Sequence, residues 1–459
     1  MRAYTKDMTV GSPVKLILSF SFPVFLSQVF QQLYNTADAL IVGRYLGDEA
    51  LAAVSSSGTL IFLIISFFVG MSMGAGVVIS RHFGAGEYDA VSRAIHTNLL
   101  LALASGILLS VIGVLFSPTF LMWMGTAPEV LPEAIVYFRY IFAGALASVL
   151  YNTCTGIMNA LGDSRRPLYY LIFSSVLNII LDVLLIGGCG CGVWAAAAAT
   201  VASQAASVVL CLIHLCKKGT VYQVEPGKLR VDWIILRDIF RNGFPSGIQN
   251  SVIGFANVIV QSNINSFGKD AMAAYGAYSK IEGFGFLPIT SFTMAITTFI
   301  SQNLGAKQYD RAKKGARFGV LGAVICAELV GITIWLLAPT LIGWFTDTPE
   351  VIAIGTREAR TITLFYFLLA FSHAVSAVCR GSGRPVTSTA VMLLCWCVIR
   401  ITYITAAMHY VHEIQYIYWA YPITWGISSV LFAIIYFFTD WTHGFEKHNA
   451  HRRRPASQS

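Results

Sequence analysis

Two short patterns of polar residues inside apolar stretches carry the chemistry open to this sequence. In the first apolar stretch Gln28, Gln31, Asn35 and Asp38 recur every three or four residues, which places them on one face of a helix. In the fifth stretch Asn178 and Asp182 stand four residues apart and again share a face. Asp38 and Asp182 each lie about five residues inside the outer ends near Gly43 and Gly187, roughly 7–8 Å at 1.5 Å per residue. Thr200, on the following stretch, falls at a comparable or somewhat greater depth. Two carboxylates, an amide and a hydroxyl at one level can coordinate a small hard cation such as a sodium ion through oxygen. They can equally share a proton. The competing reading is two unrelated interfacial carboxylates that touch lipid headgroups and form no common site.

Other polar groups suggest a cleft. The seventh stretch carries Gln249, Asn250, Asn257, Gln261 and Asn265. Such residues line an aqueous cleft or bond helix to helix. Lys280 and Glu282 are two apart and do not face each other on a regular helix. Glu282 is a candidate cleft carboxylate for a cationic substrate, with an interhelical partner as the alternative. Glu328 sits in the ninth stretch, with Arg400 as its candidate partner. Pro23 predicts a kink in the first helix, because it removes a backbone hydrogen bond.

These residues are held by membrane-spanning helices. The chain has 459 residues, 56% hydrophobic and 12% charged. Soluble domains carry about 25% charge. A helix needs roughly 20 apolar residues to cross a ~30 Å hydrocarbon core. Twelve candidate spans are centred near Val24, Leu63, Ile107, Leu146, Leu177, Ser203, Ile253, Ile289, Ala327, Ala370, Leu394 and Ser428. The expected fold is an all-α membrane protein of twelve transmembrane helices in two pseudo-symmetric six-helix lobes. The first helix runs into the protein without a signal-peptide cleavage site.

Basic residues set the orientation. With the N-terminus inside, the inner segments hold most of the Lys and Arg, including Lys217, Lys218, Lys228, Arg230, Arg237 and Arg241 in one connector. The outer segments hold only Arg44, Arg139, Lys269, Arg357 and Arg360. Both termini are therefore expected in the cytoplasm, and the net charge of +8 follows from this bias without a nucleic-acid partner.

The two halves repeat at a spacing of about 221 residues. Gly84-Ala85-Gly86-Glu87-Tyr88-Asp89 matches Gly305-Ala306-Lys307-Gln308-Tyr309-Asp310, and Pro128-Glu129-Val130 matches Pro349-Glu350-Val351. Phe22-Pro23 matches Phe244-Pro245 one residue out of step. Six spans per repeat make the repeats parallel, an architecture known among transporters. The expected organisation is a lobe over 1–218, a cytoplasmic connector over 219–242, a second lobe over 243–445 and a basic tail over 446–459. The internal counterpart of Asp38 is Val260 and that of Asp182 is Arg400, so the acidic pair belongs to the first lobe alone.

No P-loop is present, and no segment is long enough for a soluble nucleotide-driven engine. The nine cysteines are scattered and read as free thiols. No nucleophile or metal constellation marks an enzyme, and no cofactor is called for.

With its twelve spans, Phe-Pro opening each lobe and Gly-Ala-x-x-Tyr-Asp after the second and eighth spans, the chain resembles the multidrug and toxic compound extrusion (MATE) transporters. It is similar to the bacterial branch of the DNA-damage-inducible type. The resemblance implies export of amphiphilic, often cationic compounds in exchange for protons or sodium ions, by a monomer in the cytoplasmic membrane. It also implies a cation site at Asp38, Asn178, Asp182 and Thr200, and a bend of the first helix at Pro23. A lipid-linked oligosaccharide or lipid flippase of the same superfamily is the alternative.

Overall fold

The computed structural model describes residues 7–124, 126 and 128–445. Arg2, Lys6 and the basic tail over 446–459 lie outside the described residues. Among the described residues the regular structure is helical. Backbone bonds satisfied within each segment are what a chain in hydrocarbon requires.

The helices make twelve passes. They are α1 (Pro13–Leu46), α2 (Asp48–Gly84), α3 (Tyr88–Trp123), then α4 (Leu131–Ala143) with α5 (Ala145–Ala160), α6 (Arg165–Asp182) and α7 (Trp194–Leu215). The second set is α8 (Trp233–Asn265), α9 (Lys269–Gly305), α10 (Tyr309–Gly343), then α11 (Pro349–Ile362) with α12 (Tyr366–Gly381). It ends with α13 (Pro385–Leu393), α14 (Arg400–Tyr410) and α15 (Ile414–Phe438). The fourth pass bends by 48° between α4 and α5. The bend falls at Gly144, where a Cβ would meet the Val201 side chain at 2.2 Å. Among the described residues ten helices are long and apolar enough to cross a membrane, or eleven with the bent pair as one span. The twelfth is α8, long enough at 33 residues but too polar in composition to be counted.

Burial shows why the chain suits lipid. Along α3 the residues Leu103, Ile107, Val111 and Leu115, four apart, are all exposed. The opposite face buries Ala102, Gly106, Gly113 and Ser117. Small residues inside and large apolar ones outside is the pattern of helices that associate within a bilayer.

The described chain divides into two compact units. One comprises Asp7 with Leu26–Gly247, the other Met8–Phe25 with the described residues from Ile248 onward. The boundaries fall inside α1, just after Pro23, and inside α8, just after Pro245. α1 is one uninterrupted helix through Pro23.

In the first unit, the start of α8 crosses α2 on two glycine pairs. A Cβ on Gly70 would lie 2.4 Å from the Gly247 nitrogen, and one on Gly74 would lie 2.1 Å from the Gly243 nitrogen. Both helices carry Gly-x-x-x-Gly there, the spacing that lets backbones touch. The connector is fastened to the same unit. The Glu225 amide donates to His96 at 3.1 Å, the Asp232 amide to Thr97 at 3.1 Å, and Arg81 approaches Asp238 at 3.8 Å. In the second unit the segment before α1 is fastened in the same manner. The Met8 amide donates to Gln302 at 2.9 Å, and the Met8 carbonyl accepts from Asn303 and Arg311, each at 3.1 Å.

The repeat is visible in the backbone. Left-handed φ angles recur at Gly47 and Gly268 (87° and 95°), Gly86 and Lys307 (73° and 58°), and Gly162 and Gly383 (82° and 78°). Ser80 donates to the Ala160 carbonyl at 2.9 Å, as Ser301 does to Gly381 at 3.0 Å.

Candidate functional site

The first unit brings four passes together at one polar cluster. α1 supplies Tyr34 and Asp38, α4 supplies Tyr137, α6 supplies Asn178 and Asp182, and α7 supplies Thr200. Thr200 is the junction. The Asn178 amide donates to its hydroxyl at 3.3 Å, and the Tyr34 hydroxyl lies 3.3 Å from the same oxygen. Asp38 and Asp182 are direct electrostatic neighbours, and both act on the hydroxyl of Tyr137.

The cluster is buried and under-bonded. Asp182 and Asn178 are 0% exposed and Asp38 is 9% exposed. The Asp38 and Asp182 carboxyl groups lie within hydrogen-bonding reach of each other, but among the described residues one carboxyl oxygen of Asp38, both of Asp182 and the amide oxygen of Asn178 meet no N–H or hydroxyl donor. Buried polar oxygens left without partners are costly. Two buried carboxylates side by side are costlier still without a positive charge between them. A proton or a small cation relieves both costs. The donors are all oxygens, the hard set that suits such an ion. Among the described residues no group of three or more His, Cys, Asp or Glu gathers as a metal site.

Local structure fixes the geometry. Asp182 is the last residue of α6, and the chain continues as a π-helical turn over Val183–Gly188. Such turns frequently accompany functional residues, because the extra residue re-aims the side chains around it. The fifth pass of the second unit has the same device at Leu394–Ile399, immediately before Arg400.

The remaining candidates are more dispersed. In the first unit Gln28 and Gln31 are half-buried and Asn35 is exposed, with Gln31 donating to Asn35 at 3.3 Å. In the second unit Asn257 and Gln261 are exposed and Glu282 is half-buried. Lys280 is exposed. The suggested pairing of Glu328 with Arg400 is corrected. Glu328 accepts from the Phe367 amide at 2.9 Å, while Arg400 donates to Thr424 at 3.0 and 3.2 Å. Arg400 is 1% exposed and lies over the rings of Trp396 and Tyr421, 5.0 and 4.6 Å from their centroids. Its nearby carboxylate is Glu282. Val260 is fully buried in apolar surroundings.

Sequence reasoning missed three residues. Tyr34 lies four residues before Asp38 on the same helix face, so its place beside that residue was open to view. Tyr137 carries no such signal. Glu358 is 0% exposed in the second unit, yet in sequence it stands between Arg357 and Arg360 like a residue of a solvated loop.

A multi-span helical bundle built from two parallel repeats is an architecture known among membrane transporters. The MatE family matches residues 23–184 and 245–404, and the chain belongs to it. Among curated relatives, the probable multidrug resistance protein YoeA of Bacillus subtilis is 30% identical over 420 residues, covering 90% of this chain and 91% of the relative. The probable multidrug resistance protein NorM of Thermotoga maritima is 27% identical over 379 residues, covering 81% of this chain and 80% of the relative. A solved outward-facing multidrug resistance MATE transporter of the MOP superfamily superposes with a TM-score of 0.87 at 24% identity. It covers 98% of this chain and all of its own. The fold is thus the twelve-helix, two-lobed fold of that family.

Proposed function

We propose that this chain exports amphiphilic, often cationic organic compounds across the cytoplasmic membrane in exchange for a proton or a sodium ion. We place the coupling cation at Asp38, Asn178, Asp182 and Thr200. One observation carries the reading. The two carboxyl groups are buried beside each other, and three of their oxygens meet no N–H or hydroxyl donor among the described residues, a state that a shared proton or a bound cation completes. An antiporter needs a site whose occupancy changes the balance between its inward- and outward-open states. Binding a cation from outside at the outer ends of α1 and α6 would supply that bias. Gln28, Gln31, Asn35, Asn257, Gln261 and Glu282 are proposed to line the path of the substrate. Pro23 is proposed as the place where α1 bends. Both termini are proposed to be cytoplasmic, and the chain to work as a monomer. The names of the relatives favour multidrug export over lipid-linked oligosaccharide flipping.

Replacing Asp38 with Asn keeps the shape of the side chain and removes its charge. In cells loaded with a fluorescent cationic dye, the variant should be inserted in the membrane at normal levels and fail to export. Export at the wild-type rate would end the coupling assignment.

A further inference from the structure

One flank of the second unit carries a groove that the reading above leaves unused. It holds about 580 Å³, within the range of roughly 300–1,000 Å³ usual for small-molecule sites. Thr356, Arg357 and Arg360 of α11 line it, with Leu364 and Phe365 in the turn that follows and Trp419 of α15. The winding of this segment sets its two faces. Ala353, Arg357, Arg360 and Leu364 recur three or four residues apart and are exposed, while Val351, Gly355, Glu358 and Ile362 form the opposite, buried face. The Thr361 hydroxyl donates to the Arg357 carbonyl at 2.8 Å and accepts from Gln415 at 2.9 Å, which ties α11 to α15. Phe365 and Trp419 meet edge to face, 5.8 Å between centroids.

Two positive charges stand in this groove unanswered. None of the residues lining it is acidic. Among the described residues neither arginine forms an ion pair. Glu358 lies between them in sequence but on the buried face. Arg360 rests over the Trp335 ring, 5.4 Å from its centroid, which steadies the guanidinium. Three residues apart on one helix, the two like charges are neighbours and repel. The Thr356 hydroxyl is buried beside them without a hydrogen-bond partner. An anion with several oxygens relieves both faults, because it accepts forked bonds from guanidinium groups and one more from the hydroxyl.

The first unit is the internal control. At the repeat spacing of 221 residues Arg360 corresponds to Arg139. Arg139 donates to Ser117 at 3.0 Å, so it is satisfied within the protein. The counterpart of Ser117 is Ala338, and the counterpart of Arg357 is Val136. The second unit has lost the internal acceptor and gained a second cation at the same level.

Depth selects the anion. Arg360 stands 20 residues before Arg380, and Trp419 stands 19 residues before Phe438 near the far end of its pass. Each interval is about 30 Å at 1.5 Å per residue, the thickness of the hydrocarbon core. The arginines therefore lie at headgroup level, where tryptophans such as Trp419 also gather. Exposed Leu364, and Ile423 one turn along from Trp419, carry an apolar surface toward the hydrocarbon.

We propose that this groove binds an anionic phospholipid, with its phosphate at Arg357, Arg360 and Thr356 and its acyl chains along Leu364 and Ile423. The lipid belongs to the outer leaflet in the topology proposed above. The choice of leaflet rests on that topology, and the binding does not.

Phosphatidylglycerol titrated into the full-length protein, purified in detergent and stripped of lipid, tests this, with bound lipid counted by native mass spectrometry. One lipid should bind tightly to the wild type. A basic side chain at the membrane surface contributes roughly 5-fold in affinity, so Arg357→Ala/Arg360→Ala should weaken binding about 30-fold. Arg139→Ala should bind as the wild type does. If the double variant does not fold, Arg357→Gln serves instead, with a loss of about 5-fold expected. Wild-type affinity in a folded double variant, or in Arg357→Gln, would overturn the proposal. So would equal binding of phosphatidylcholine, or an equal loss in Arg139→Ala. Inorganic phosphate in tenfold excess should leave the lipid in place, and displacement would make the ligand a free phosphate and refute the lipid assignment. The readout is independent of transport, so failure here leaves the proposed coupling site untouched.

Discussion

Thr200 holds the first cluster together, because two side chains from two other helices reach its one hydroxyl. Thr200→Val keeps the volume and leaves the buried Asn178 amide without an acceptor. That loss is about 1–3 kcal/mol, or roughly 5–150-fold in cation affinity. The check is the cation concentration that gives half-maximal transport, which should rise in Thr200→Val and stay near normal in Thr200→Ser. An unchanged value in Thr200→Val would remove Thr200 from the site. Asp38, Asn178, Asp182 and Thr200 were legible in the sequence because polar groups in apolar runs are conspicuous and their depths could be compared. Tyr137 was not, since a tyrosine in a span is equally at home in a core or at an interface. Glu358 was hidden by its basic neighbours Arg357 and Arg360, although the repeat spacing aligns it with Tyr137.

At the scale of the element, the crossing of α2 with the start of α8 sets backbone against backbone. Neither Gly74 nor Gly243 has room for a side chain, so Gly74→Val must push two backbones apart. Overpacking of this kind costs about 1–3 kcal/mol. The thermal unfolding midpoint of the purified protein in detergent should fall, and an unaltered midpoint would show that the crossing is looser than described. Most helices could be read from apolar length alone. α8 could be placed but fails a purely apolar test, because Gln249, Asn250, Asn257 and Gln261 dilute it. The break at Gly144 and the two π-helical turns were not legible. A hydrophobic run records that a segment is buried, not that one residue has been inserted in its winding.

For the whole molecule, the repeat and the charge bias were the legible features, and they predict which loops face which side. Two native cysteines make a test without mutation. Cys189, after α6, and Cys216, after α7, are both exposed and lie at opposite ends of one pass. A membrane-impermeant maleimide added to intact cells should label Cys189 and spare Cys216, and the reverse pattern would invert the topology. The division into compact units was not legible at the residue level, because α1 and α8 each contribute to both units without any interruption of the helix. The energetic role assigned to the first cluster is tested most directly in reconstituted vesicles, with proton and sodium gradients imposed one at a time. The wild type should move a cationic dye against its gradient under at least one of them. The Asp182→Asn variant should bind the dye and move it under neither, whereas uphill movement by that variant at the wild-type rate would contradict the account.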